Sequence, residues 1–484
     1  MNYKFMFKTL GSIFLIEALF LLPSSLLSIY DGDYGVTRAF VITIILLVCA
    51  GAILKAVSVK SRREYYSREG ILLVALSWLS AAAFGALPFF ISGEIPNYIS
   101  AFFETVSGFT TTGASILTDV EAMSRGLLLW RSFTHWLGGM GILVFLIAVI
   151  PAAKGSGGSL YVLRAESPGP AVSKIASKTR NHAAIMYGIY VAMSLICLIF
   201  LLAGGMPVFD SFCIMFGTAG TGGFGILADS MASYSVYLQV VVTVFMALFG
   251  INFNIYYFLL IKKVKQIFKD EECRTYIILM LASSLVIAVN VMNQFESFGA
   301  ALHHASFSVS SVMTTTGYST VDFNLWPQLS RSLLLVLMLF GASAGSTGGG
   351  IKIVRLLILI KSGFREAKRM LHPKSVIHLR LNGQPVEENL IRGVHIFAFV
   401  YMSIMVLSFL IISLDNFSFE TNLSAVISCM SNIGPGLGDV GPAGSFAGYS
   451  ALSKIVLSTD MLLGRLEIFP MLLLFHPRAW NRAV

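Results

Sequence analysis

Charge is scarce in this sequence. Asp, Glu, Lys and Arg make up 12% of its 484 residues, about half the share of a soluble globular domain. With 56% hydrophobic residues and a mean hydropathy of +0.78, the chain is excluded from the ordinary cytosolic enzymes. Cysteine is scarce too. Cys49, Cys197, Cys213, Cys273 and Cys429 form no Cys-x-x-Cys pair and no extracellular pairing pattern, so neither a disulfide framework nor a thiolate metal site is expected. Catalytic motifs, paired carboxylates and a soluble domain are also missing, which argues against an enzyme or receptor.

What is present is a series of apolar runs near the 20 or so residues that carry a helix across a bilayer. Ten segments qualify, at roughly 10–30, 36–57, 71–93, 127–150, 184–206, 236–261, 276–295, 332–360, 392–414 and 450–475. The expected fold is an all-α polytopic membrane protein. The first run is expected to be retained rather than cleaved as a signal, since Asp31-Gly32-Asp33 comes after it instead of an Ala-x-Ala site.

The net charge of +9 suggests nucleic acid only if the positives share one folded face. Their placement reads instead as topology: 28 of the 34 Lys and Arg fall on one side of the bilayer, in alternate loops and at the termini. The positive-inside rule makes that side cytoplasmic, with both termini inside and the bilayer, not nucleic acid, as the partner.

Outward-facing segments too short to cross end in Gly/Thr-rich strings. Four strings align: Thr111-Thr112-Gly113, Thr221-Gly222-Gly223, Thr315-Thr316-Gly317 and Gly434-Pro435-Gly436, with central glycines 110, 94 and 119 residues apart when Gly436 is used. A hydrophobic-Gly step comes after each one, at Gly138, Gly250, Gly341 and Gly464, 25, 27, 24 and 28 residues further on. Each repeat therefore reads as outer helix, half-membrane helix, irregular strand and inner helix, with spans one and two as an accessory hairpin. The divisions expected are 1–70 for the hairpin and its loop, 71–150 for repeat one, 151–262 for a cytoplasmic loop and repeat two, 263–362 for repeat three, 363–391 for a linker and 392–484 for repeat four.

Irregular backbone at membrane depth survives only where it is buried in protein or lines water. Four such strands around one axis make a pore lining, in which glycine lets successive carbonyls face the axis and replace the hydration shell of a monovalent cation. The half-helices add their negative dipole ends. Secondary transporters usually show inverted repeats, whereas these four enter from one side, which favours a pore over alternating access.

The third inner helix is interrupted by Gly341-Ala342-Ser343-Ala344-Gly345-Ser346-Thr347-Gly348-Gly349-Gly350, too glycine-rich for regular helix. It is not a phosphate loop, because Ile351-Lys352-Ile353 comes next instead of Gly-Lys-Ser/Thr. It is either a gate or a packing kink. By the repeat register Arg465 lies at the depth of Gly341. A charge there marks a pathway or an ion pair: it is read as a barrier to cations, with pairing to Asp460, Glu467 or Glu17 as the alternative. Glu104 either concentrates cations at the mouth or bonds nearby backbone. Arg131, Arg331 and Lys454 read as snorkelling or helix-anchoring residues, His303 and His304 as interfacial polar residues, and the basic run 361–380 as a contact for a partner or anionic lipid.

The strings TTTGAS at 110–115, RSFTHWLGGMGI at 131–142, ESPGP at 166–170, GTGGFG at 220–225, TTTGYST at 314–320, GASAGSTGGGIK at 341–352 and NIGPGLGDVGP at 432–442, with the N-terminal hairpin, resemble the TrkH/KtrB/HKT superfamily of potassium transporters, the TrkH branch most closely. The resemblance implies a bacterial inner-membrane potassium uptake protein. It implies a homodimer with one pore per subunit, potassium as substrate, no covalent cofactor, and regulation by a cytoplasmic nucleotide-binding ring protein. It implies one filter glycine per repeat, at Gly113, Gly223, Gly317 and Gly436, with Gly434 as a rival for the last, and some passage of Na⁺ or Rb⁺. It also implies that Gly345, Ser346, Thr347, Gly348, Gly349 and Gly350 form an intramembrane gate loop under the filter. A K⁺/H⁺ or Na⁺-coupled symporter using the same filter is the alternative mechanism.

Overall fold

The computed structural model describes residues 3–58, 67–141 and 179–480. Ile142, the ESPGP string and much of the second cytoplasmic loop lie outside them. The described chain is mostly helical, with one two-stranded hairpin, Arg380–Leu381 against Gln384–Pro385.

The accessory hairpin pairs Tyr3–Tyr30 with Tyr34–Val57. Asp33 caps the second helix by accepting the Val36 N–H at 3.2 Å. The two helices approach closely at Gly11 and Gly51, where a Cβ on either would stand 2.8 or 2.9 Å from the carbonyl oxygen of the other; small residues let membrane helices meet in this way.

Four repeats come after the hairpin. The outer helices are Ser67–Gly85, extended by Leu87–Ser92, then Thr179–Ala203, Glu271–Val291 and Glu388–Ile412. The half-membrane pore helices are Tyr98–Phe109, Val208–Gly220, Phe298–Met313 and Phe419–Ser431. Asn97, Ser297 and Ser418 cap three of these by accepting amide protons at their N-termini.

The ten-span expectation needs one revision. Six described helices are long and apolar enough to cross a membrane: the hairpin and the four outer helices. Within the described residues the inner helices end or bend near the hydrophobic-Gly steps. The first, Arg125–Gly139, ends there, two residues before the described segment itself stops at Gly141. The second, Val236–Phe249 and Phe253–Leu260, bends by 88°. The third breaks between Leu339 and Ile353, the fourth between Arg465 and Phe469. Unpaired backbone at a break must bond elsewhere inside a membrane, and the third helix's loop supplies partners for the second: Ser343 N–H donates to Gly250 O at 3.1 Å and Phe253 N–H to Gly345 O at 3.0 Å.

Candidate functional site

Each pore helix ends in the same way. Thr111, Thr221, Thr315 and Asn432 are left-handed, with φ of 55°, 54°, 61° and 57°. The next amide reaches back five residues, from Thr112 to Ser107 O, Gly222 to Gly217 O and Thr316 to Ser311 O at 2.8 Å, and from Ile433 to Ser428 O at 3.0 Å. This is the Schellman termination. One residue later Gly113, Gly223, Gly317 and Gly434 have φ of +80°, +75°, +89° and +106°.

These four glycines close a ring. A Cβ added to Gly113 would overlap the Gly222 carbonyl oxygen, one on Gly223 that of Thr316, one on Gly317 that of Ile433, and one on Gly434 that of Thr112. Each glycine therefore faces the carbonyl just before the corresponding glycine of the next repeat, and the fourth returns to the first. The alignment on Gly436 is thus displaced by two residues: Gly436 lies beyond the ring, its N–H bonded to Val440 O at 2.7 Å. The in-register string is Asn432-Ile433-Gly434, the counterpart of Thr-x-Gly, since Asn also tolerates the left-handed region. An outer vestibule of about 440 Å³ reaches Gly113, Gly223, Gly317, Gly434 and Pro435.

A β-branched residue in the left-handed region is strained, yet three strands place threonine there. Two of their hydroxyls face the loop of the third inner helix and one faces Arg465. Thr315 Oγ1 accepts the Gly349 N–H at 2.7 Å, Thr221 Oγ1 donates to Thr347 Oγ1 at 3.2 Å, and Thr111 Oγ1 accepts from Arg465 Nη1 at 3.3 Å. Under the fourth strand, Gly349 packs so tightly on Asn432 that an added Cβ would stand 2.6 Å from the Asn432 Cβ. Loop and arginine together touch the underside of all four strands.

How the loop is held has no direct sign in the sequence. At its neck Gly341 N–H donates to Ile351 O at 2.9 Å. Glu272, at the start of the third outer helix, accepts the Ala344 N–H at 2.7 Å and the Val354 N–H at 3.2 Å, gripping both sides of the loop. Lys352 is buried and its Nζ donates to the carbonyls of Gly348 and Gly349. Arg355, nearby, pairs with Glu467 at 2.6 Å. Arg465 itself is buried: Nη1 donates to Thr347 O at 2.7 Å, and Nη2 to Gly139 O at 2.9 Å and to Gly138 O. Asp460 accepts from Ser408 at 2.8 Å.

Other polar residues also gain definite positions. Glu104 is fully buried and bonds nearby backbone and Arg131 rather than standing at the mouth. Arg331 pairs with Glu420. Lys454 reaches Ala447 O at 3.0 Å. His303 and His304 bond Gln239 and Thr320. In the run 361–380, Lys361 pairs with Glu271 and Arg365 with Glu388, so part of that charge is already satisfied within the chain.

Four strands closing one ring, each at the end of a half-helix, and a loop packed against them place this chain among multi-pass membrane transporters. The model of the TrkH family, described as cation transport proteins, matches residues 36–482, and the chain belongs to that family. It is 35% identical over 480 residues to the Trk system potassium uptake protein TrkH of Salmonella typhimurium, covering 97% of both chains. To the Trk system potassium uptake protein TrkI of Halomonas elongata it is 30% identical, covering 98% of this chain and 96% of that one. Its structure resembles the crystal structure of the potassium transporter TrkH from Vibrio parahaemolyticus with a TM-score of 0.89 at 30% identity, over 99% of this chain and 100% of that one.

Proposed function

We propose that this protein takes up potassium across the bacterial inner membrane through a gated pore whose filter is the ring of Gly113, Gly223, Gly317 and Gly434. The single observation that carries this reading is the closed ring itself, in which a carbonyl of each strand lies against the glycine of its neighbour; backbone carbonyls gathered in a ring suit a dehydrated monovalent cation. The flanking Thr111, Thr112, Thr221, Gly222, Thr315, Thr316, Ile433 and Pro435 complete the strands. Relatives named potassium uptake proteins support potassium as the ion.

Gly345 to Gly350 and Arg465 form the gate, held closed by Glu272 and Lys352. The charge bias of the loops supports both termini in the cytoplasm. Relatives named as parts of a Trk system support a further component, which we take to be a cytoplasmic nucleotide-binding ring acting on a homodimer, with nucleotides working through that partner. The repeat boundaries near 71, 184, 276 and 392 belong to the same fourfold reading.

Expression of the full chain in bacteria without their own potassium uptake should restore growth at low potassium; no restoration by a membrane-inserted protein would sink the proposal. In liposomes with an imposed potassium gradient and independently varied pH, a reversal potential that tracks potassium alone removes the coupled-symport alternative.

A further inference from the structure

The first inner helix carries two polar side chains one turn apart, Arg131 and His135, both buried. Arg131 Nε donates to Glu104 Oε1 at 2.6 Å and its Nη1 to Gly225 O at 2.9 Å. Its guanidinium lies over the Phe224 ring, 3.5 Å from the centroid. Glu104, on the first pore helix, accepts from Ser115 Oγ and from the Ile116 N–H, each at 2.9 Å. His135 Nδ1 bonds Gly108 O at 2.8 Å while Nε2 accepts the Phe224 N–H at 3.2 Å. Those two bonds require the tautomer with its proton on Nδ1.

Residues 115–116 and 224–225 lie immediately outside Gly113 and Gly223. One helix therefore holds the outer end of strand two by three contacts, while Glu104 holds the outer end of strand one. The ion pair joins the two. Where the partner of the third strand is sought, Arg331 and Glu420 are the nearest equivalent, but their side chains are 22% and 40% exposed, against 3% and 0% for Arg131 and Glu104. Exposed pairs are screened and hold geometry weakly; a dry, hydrogen-bonded pair does not yield without leaving a buried charge. Arg131 also lines the outer vestibule, where an uncompensated positive charge opposes cation entry, and Glu104 neutralises it.

We infer that Arg131, fixed by Glu104, is a positioning residue that sets ion discrimination: it locks strands one and two in register without itself touching the ion. Discrimination by a carbonyl ring depends on the spacing and field of its oxygens, so a strand released by a fraction of an ångström admits sodium more readily. The inference rests on the reading of the glycine ring as a potassium filter.

Arg131→Lys is the decisive variant, because it keeps the charge but a single ammonium lacks the planar fork that reaches both Glu104 and Gly225. The paired variant Glu104→Gln with Arg131→Gln removes both charges at nearly constant size and serves if the lysine chain fails to insert. Potassium and sodium uptake are measured with the full chain in cells lacking their own potassium uptake. Both variants should lower the potassium-to-sodium uptake ratio by roughly fivefold, the fold-change of about one hydrogen bond, and Glu104→Gln alone should also depress potassium uptake through the exposed positive charge. A wild-type protein that prefers potassium, together with inserted variants whose ratio is unchanged, overturns the clamp alone. A wild-type protein with no potassium preference overturns the filter reading and the clamp with it.

Discussion

The Arg465 guanidinium donates to the Thr347 carbonyl at 2.7 Å, joining the fourth inner helix to the loop of the third. The same nitrogen touches Thr111 Oγ1, and its neighbour holds Gly139 O. In the proposed pore a cation fixed there does two things: it ties the loop to the ring of strands, and it puts a positive charge in the path of an ion leaving the ring.

Removing it acts on both. Arg465→Ala should raise basal potassium flux into proteoliposomes severalfold, since several charge-assisted hydrogen bonds of about 1.5–3 kcal/mol each are lost from the closed arrangement. Unchanged flux from a folded, inserted variant rejects the barrier role.

Glu272 makes an independent case, because it holds the loop from outside the ion path. Glu272→Ala frees both the Ala344 and Val354 amides and should make the pore leak, by a smaller factor than Arg465→Ala; Glu272→Gln, which keeps an acceptor, should leak less still. Tracer efflux from loaded vesicles measures all three. A tight Glu272→Ala pore would mean that the loop is held elsewhere.

The fourth-strand register separates two glycines on either side of Pro435. Gly434→Ala carries a side chain into the Thr112 carbonyl at φ +106° and should abolish potassium preference, as should Gly113→Ser. Gly436→Ala meets the Ser424 hydroxyl at 2.7 Å and should leave the preference largely intact. Competition of sodium with rubidium uptake reads the difference, and the reverse order would restore the alignment on Gly436.

Gly222 tests the seam with His135. An added Cβ at Gly222 would run into the imidazole ring. Gly222→Ala is therefore expected to cost about 1–3 kcal/mol in overpacking, read as a lower unfolding temperature in detergent. The companion His135→Ala should relieve that clash, so the double variant should be no less stable than His135→Ala alone.

The amino-acid sequence by itself determined the membrane class, the fourfold repeat and three of the four strings that end the pore helices. Those are periodic or compositional features: apolar length, the placement of Lys and Arg, and Thr-x-Gly at near-constant register. It also located Arg465 and the glycine-rich interruption, since a charge and a string of glycines are both anomalous inside an apolar span. Asn432-Ile433-Gly434 was legible in principle, because Asn and Thr at the same left-handed position end the pore helix alike, but the two glycines of Gly434-Pro435-Gly436 left the register open.

Only the tertiary structure decided it, through the neighbour each glycine faces. It likewise decided that Lys352 and Glu272 hold the loop, that the second, third and fourth inner helices break near the glycine steps, and that Glu104 and Arg131 form one unit. Hydrogen bonds such as that between Arg465 and Thr111 join residues 354 positions apart. No local pattern encodes such a pairing, because it exists only once four separately formed repeats have closed around the same axis and every polar group left without water must find its partner inside the protein.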